Sequence, residues 1–102
     1  MLMDIRNRRA KRYVEKRLQD CDFRSVGQDI ILAFKGCIIP KELARLLDCF
    51  IENPCMDTAW GLIHYNKEFV GLFFFSAERN RNGLEVGRQI AKRISQYVKG
   101  RS

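Results

Sequence analysis

The sequence lacks any apolar run long enough to cross a lipid bilayer. Its longest strongly apolar stretch is residues 69–75, whereas a membrane-spanning helix needs about 20 residues. The N-terminus carries charges but no following apolar run of about 7 to 15 residues, which a secretory signal requires. These two absences predict a cytoplasmic protein that does not associate with membranes.

Patterns that indicate catalysis or metal binding are also scarce. His64 is the only histidine, and the seven glycines form neither a G-x-G-x-x-G nor a Walker pattern. Cys21, Cys37, Cys49 and Cys55 include no Cys-x-x-Cys pair, with which structural zinc sites usually begin. We therefore predict a non-enzymatic protein with no cofactor, no metal site and four free buried thiols. A catalytic pair of His64 with a cysteine stays open, because such partners need only be close in space.

The 102 residues fit one domain, and the 46% apolar content supplies its core. Residues 4–20 carry no Gly or Pro and place apolar side chains at helical spacing, which predicts a helix. Pro40 suits the first turn of a second helix, and Asn53 and Pro54 suit its end. Asn82 can cap a third helix that runs to about Lys99. Three apolar runs lie outside these helices.

Short apolar runs predict the strands. Residues 30–34 have the composition of a strand buried on both faces, and residues 58–65 and 69–76 read as a hairpin turning at 66–67. The expected fold is a single α+β domain in the order α-β-α-β-β-α, with a roughly three-stranded sheet and two or three helices. Within the domain 1–102, residues 1–24 form a basic N-terminal helix that could be mobile, and residues 25–100 form the α+β core.

Both faces of the expected hairpin are apolar, so both need cover. Trp60, Phe69, Phe73 and Phe75 share one face by alternation along the strands. Part of this surface is therefore predicted to be an interface, buried in a homodimer or by a protein partner. Cover by the N-terminal segment of the same chain is the alternative.

The net charge of +7 is concentrated at the two ends of the chain. Residues 1–20 carry seven Arg/Lys and three Asp/Glu, and residues 77–102 carry seven and two. The middle, residues 21–76, has a net charge of −2. Clustered Lys and Arg on helices neutralise phosphates and release counterions, so the ends predict a surface for DNA or RNA. The alternative is that the basic residues are ordinary solvent-exposed helix surfaces that keep a small protein soluble.

The first functional hypothesis is therefore a small regulator that binds nucleic acid through its basic terminal helices, provided that both lie on one side of the fold. The predicted binding residues are Arg6, Arg8, Arg9, Lys11, Arg12, Lys16, Arg79, Arg81, Arg88, Lys92 and Arg93. The alternative is a protein-interaction module, such as an inhibitor, adaptor or chaperone, that uses the apolar hairpin and meets an acidic partner with its basic ends.

Overall fold

The chain folds into six α-helices in a computed structural model that describes residues 8–79 and 81–101. The helices are α1 (Arg8–Arg17), α2 (Phe23–Phe34), α3 (Lys41–Glu52), α4 (Met56–Tyr65), α5 (Phe69–Ala77) and α6 (Arg81–Arg101). The three helices expected from the sequence correspond to α1, α3 and α6. Over the described residues there is no strand, so the α+β prediction and its three-stranded sheet are wrong.

Residues 30–34, expected as a buried strand, are the second half of α2. This helix begins at Phe23, after Asp22, whose side chain accepts a hydrogen bond from the Ser25 backbone N–H at 3.2 Å. A short apolar run fits a buried strand and a buried helix equally well. The residues before it, including Gly27, belong to the same helix.

The expected hairpin is the helix pair α4 and α5. Cys55 caps α4, where its thiol and the Thr58 side chain form a reciprocal capping box. At the end of α4, the Asn66 backbone N–H donates a hydrogen bond to the Leu62 carbonyl. The Asn66 side chain accepts a hydrogen bond from the Glu68 N–H at 2.9 Å, just before α5 begins. A helix that is apolar on all sides is a buried helix, which accounts for the two apolar faces attributed to the sheet.

Helix α5 lies at the centre of the fold, in contact with α2, α4 and α6. Phe73 is completely buried, and its ring meets the Phe50 ring edge-to-face at a centroid distance of 5.4 Å. Phe69 stacks on Phe34 at 6.1 Å. Such aromatic pairs add about 0.5–1.5 kcal/mol each to the effect of burial. The predicted core of residues 25–100 is thus helical and organised around α5.

Helix α6 packs closely on α5 and α2 because glycines face them. Gly83 lies against Ser76, and Gly87 lies between Leu72 and Ala33. Further along α6, the Ser95 hydroxyl accepts a hydrogen bond from the backbone N–H of Ile38 at 3.3 Å. The glycines thus bring α6 close to α5 and α2, and the Ser95 hydrogen bond joins its second half to the segment between α2 and α3.

Candidate nucleic-acid interface

Helix α1 presents its basic residues to solvent from the side opposite its buried contact. Val14 is fully buried, and Arg12 and Lys16 each lie two residues from it, which is about 200° round the helix. Arg8 precedes Arg12 by one turn, and all three side chains are exposed. We call Arg8, Arg12 and Lys16 the α1 face.

Other basic residues of α1 hold the helix in place. The Arg17 guanidinium forms an ion pair with Glu78 at 2.8 Å and lies over the Phe74 ring at 4.1 Å. It also donates a hydrogen bond to the Tyr13 hydroxyl. The hydrogen bond with Glu78 is the main reason that the pKa of Arg17 is raised. Lys11 lies over the Trp60 ring of α4 at 5.6 Å, so Lys11 and Arg17 attach α1 to its neighbours.

Helix α6 also exposes a row of basic residues. Arg88 and Lys92 each lie two residues from the buried Ile90, about 200° round the helix, at the edge of a packed side that also includes Ala91 and Ser95. Arg81 has the same relation to the buried Gly83. We call Arg81, Arg88 and Lys92 the α6 face. Among the residues the structure describes, no member of the α1 face or the α6 face has an ion-pair partner.

Both basic helices pack on α5. Helix α1 contacts Phe74 through Tyr13 and Arg17, whereas α6 contacts Leu72 and Ser76. Leu72 and Ser76 each lie two residues from Phe74, so α1 and α6 occupy different sides of α5. The single joint surface required by the first hypothesis is thus divided into two basic faces, with α5 between them.

The two glutamates that flank α5 each bind one arginine of a basic helix. Glu78, after the end of α5, pairs with Arg17, and Glu68, before its start, pairs with Arg93. Arg93 was predicted as a nucleic-acid ligand, but its guanidinium is already engaged by Glu68. The sequence carried no signal for these pairs, whose members are 61 and 25 residues apart.

The remaining predicted binding residues are distributed unevenly. Arg6 lies outside the described residues, and the other ten are all exposed. Arg79 and Arg81 border a cleft of about 380 Å³ that also contains Asp22 and Asp29. The pKa of Asp22 is lowered, mainly by hydrogen bonds from Ser25 and in part by the charge of Arg79. This cleft therefore has mixed charge, unlike the α1 face.

The predicted apolar interface rested on a sheet that does not form. Phe69 and Phe73 have no exposed surface, and Trp60 is 7% exposed. Phe75 alone of the four is partly exposed. A helix places residues 73 and 75 on different sides, whereas a strand would place them on the same face. The premise of an exposed apolar sheet is wrong.

No hydrogen bond joins His64 to a cysteine among the described residues. Its ring lies 5.6 Å from that of Trp60, one turn earlier on α4, and it borders a shallow cleft with Glu42 and Tyr65. All four cysteines are free thiols, but none is fully buried as expected, because Cys49 is exposed and the other three are partly exposed. Within the described ranges, no group of three or more His, Cys, Asp or Glu side chains could hold a metal ion.

The cysteines are expected to differ in reactivity towards an alkylating agent. The Thr58 hydroxyl and backbone lower the pKa of the Cys55 thiol, while burial raises the pKa of Cys21 to about 11. Because the thiolate is the nucleophile, iodoacetamide at neutral pH should modify Cys55 well before Cys21, as followed by peptide mass spectrometry. Thr58→Val should slow Cys55 and leave Cys21 unchanged. Equal rates at the two thiols would contradict this assignment.

None of the described helices is both long and apolar enough to cross a membrane. In comparisons with known proteins, the chain matches no family model, no curated protein and no solved structure.

Proposed function

We propose that the protein binds nucleic acid through the α1 face and the α6 face, which contact phosphates on separate stretches of backbone. The observation that carries the proposal is that six exposed cations on two helices have no ion-pair partner among the described residues, while Arg17 and Arg93 are neutralised by glutamates. Unpaired Lys and Arg side chains release counterions from phosphates when they bind. No described residue is assigned a role in catalysis.

The regular spacing of the α1 face supports a contact with the phosphate backbone of a nucleic acid. Arg8, Arg12 and Lys16 recur every four residues, so their Cα atoms are about 6 Å apart along the helix axis. Only one acidic side chain, Glu15, belongs to this helix. Arginine also suits phosphate, because its planar guanidinium donates two parallel hydrogen bonds.

Salt dependence tests the proposal. Fluorescence anisotropy with duplex DNA, single-stranded DNA and structured RNA should show affinity that falls with salt, by a log-log slope of about −0.9 per phosphate contact on a duplex. The triple variant Arg8→Gln/Arg12→Gln/Lys16→Gln should make the duplex slope shallower by about 2.7. Its affinity at moderate salt should fall by about a hundredfold or more, because three contacts are lost.

The control has the same change in net charge. Lys35→Gln/Lys41→Gln/Lys67→Gln also removes three exposed cations, but from outside both faces. Its affinity should stay within about threefold of the wild type, since the removed charges contact no phosphate. Equal losses of affinity in the two triple variants would mean that net charge, not the α1 face, determines binding. Absence of nucleic-acid binding by the wild type at low salt would contradict the proposal.

The competing hypothesis of a protein-interaction module loses its apolar sheet but keeps the basic helices, which could meet an acidic protein. The absorbance ratio at 260 and 280 nm, measured before any nuclease treatment, separates the two. Co-purifying nucleic acid supports our proposal. A stoichiometric acidic protein that survives nuclease treatment supports the alternative.

A further inference from the structure

The three tyrosines differ from the other large aromatic side chains in being exposed. Tyr13 is 51% exposed, Tyr65 36% and Tyr97 60%, whereas each phenylalanine and the tryptophan is buried or only partly exposed. Unpaired bases of a nucleic acid stack on exposed aromatic rings. An exposed tyrosine beside a basic face is therefore able to hold a base while the neighbouring cations hold its phosphate.

Tyr13 borders the α1 face. Lys16 follows it by three residues, so the two side chains are neighbours on the helix surface, with about 5–6 Å between their Cβ atoms. Arg9, which is also exposed, precedes Tyr13 by one turn. Glu15, the acidic residue of α1, lies two residues from Tyr13, about 200° round the helix. The side of α1 that carries Tyr13 is therefore positively charged.

Two contacts hold the Tyr13 ring in position. The ring is almost perpendicular to that of Phe74, at a centroid distance of 6.2 Å, and its hydroxyl accepts a hydrogen bond from Arg17 at 3.2 Å. Arg17 is in turn held by its ion pair with Glu78, which also neutralises that carboxylate. About half of the Tyr13 side chain stays accessible to solvent. Such a preorganised ring loses little conformational freedom when a base stacks on it.

We propose that the nucleic acid bound by the α1 face is single-stranded, with an unpaired base stacked on Tyr13 and the adjoining phosphates contacted by the α1 face. This inference rests on the proposed function and narrows its substrate class. In a duplex the bases are paired and stacked on each other, so only an unpaired base can lie against the ring. Single-stranded DNA and single-stranded RNA both supply this chemistry.

Tyr97 offers a matched control on the other basic helix. It is at least as exposed as Tyr13, but it lies five residues from Lys92 and nine from Arg88, which is about 140° and 180° round α6 from them. Arg93, one turn before Tyr97, is engaged by Glu68. A base stacked on Tyr97 would therefore lie away from the α6 face.

An abasic strand tests the stacking directly. In fluorescence anisotropy, the wild type should bind an oligothymidylate of about 15 nucleotides at least about tenfold more tightly than an abasic strand with equally many phosphates, because only the former can stack. Tyr13→Leu should bind the two strands within about threefold of each other, since it removes the ring but keeps an apolar side chain against Phe74. The same comparison with oligouridylate shows whether the site accepts RNA, DNA or both, and loss of the preference for either strand in Tyr13→Leu supports the proposal.

Two variants separate stacking from a structural effect. Tyr13→Phe should keep the preference for strands with bases, because a phenyl ring also stacks. Tyr97→Leu should keep it because Tyr97 lies away from the α6 face. An unchanged helical circular dichroism spectrum verifies that each variant is folded.

The outcomes distinguish this inference from the proposed function. A wild type that binds both strands equally at low salt overturns the stacking on Tyr13 and leaves phosphate binding intact, whereas absence of binding to any nucleic acid contradicts both. Equal losses in Tyr13→Leu and Tyr97→Leu also overturn the assignment to Tyr13. So does a Tyr13→Leu variant that keeps the full preference for strands with bases.

Discussion

Gly83→Ala is expected to destabilise the protein by about 2 kcal/mol, although alanine normally favours a helix over glycine by about 1 kcal/mol. A Cβ at position 83 would lie 2.5 Å from the Ser76 hydroxyl oxygen and 2.6 Å from the Ser76 backbone nitrogen. The backbone of α5 cannot rotate away as a side chain can, so α6 would have to shift. Overpacking of this kind typically costs about 1–3 kcal/mol.

Substitutions at two other glycines of α6 should show how the destabilisation depends on the space available for a Cβ. At Gly87 a Cβ would lie 2.9 Å from the Leu72 Cδ1, which a rotation of that leucine can move, and 3.0 Å from the Ala33 Cβ, which is fixed to its backbone. Both contacts are longer than the 2.5 and 2.6 Å contacts at Gly83, so Gly87→Ala should cost less than Gly83→Ala. Gly100 has no atom within 4 Å of a Cβ, so Gly100→Ala should be neutral or stabilise by up to about 1 kcal/mol. Urea denaturation gives the three free energies of unfolding. A neutral Gly83→Ala would mean that α6 does not approach α5 this closely.

Only the helices with a distinct polar face could be predicted from the sequence. In α3 the buried Leu43, Leu47 and Phe50 recur on one side, and charged residues occupy the other, so the period of 3.6 is visible. In α5, no charged residue interrupts residues 69–77. Without a polar face, a buried helix of nine residues and a buried strand have the same pattern. Whether residues 69–77 form a helix or a strand depends on the elements that pack around them.

The connection between α4 and α5 shows the same ambiguity. Asn66 favours a turn, and the prediction of a turn there is compatible with both folds. In a hairpin, Asn66 would lie in the turn between two strands. In this structure its backbone N–H caps the end of α4, and its side chain accepts a hydrogen bond from the Glu68 N–H just before α5. Turn chemistry marks a boundary between elements, but it does not state which elements are joined.

The exposure of the basic residues was easier to anticipate than their partners. Long charged side chains are almost never fully buried unless paired, so composition alone placed the cations at the surface. Whether an exposed arginine is available is decided by residues distant in sequence. Arg17 and Arg12 look equivalent in the sequence, yet only Arg17 is held by Glu78. The division into two basic faces likewise follows from how α1 and α6 pack on α5.

Phe73→Ala should destabilise the protein by about 3–5 kcal/mol, the usual cost of removing a buried aromatic ring. Phe73 is 0% exposed and contacts the rings of Phe50 and Phe23. Phe75→Ala should cost about half as much or less, because Phe75 lies on a different side of α5 and is only partly buried. The total stability of a small domain is about 5–15 kcal/mol, so the Phe73 variant should unfold at far lower urea concentration.

This pair of variants distinguishes a helix from a strand at residues 69–76. In the hairpin expected from the sequence, Phe73 and Phe75 share one face and should be equally sensitive to truncation. In α5 they are separated by about 200°, so their sensitivities should differ. Urea denaturation followed by circular dichroism measures both. If Phe73→Ala leaves too little folded protein, Phe73→Leu and Phe75→Leu repeat the comparison with a smaller loss of volume, and equal free-energy changes in that pair would contradict the helix.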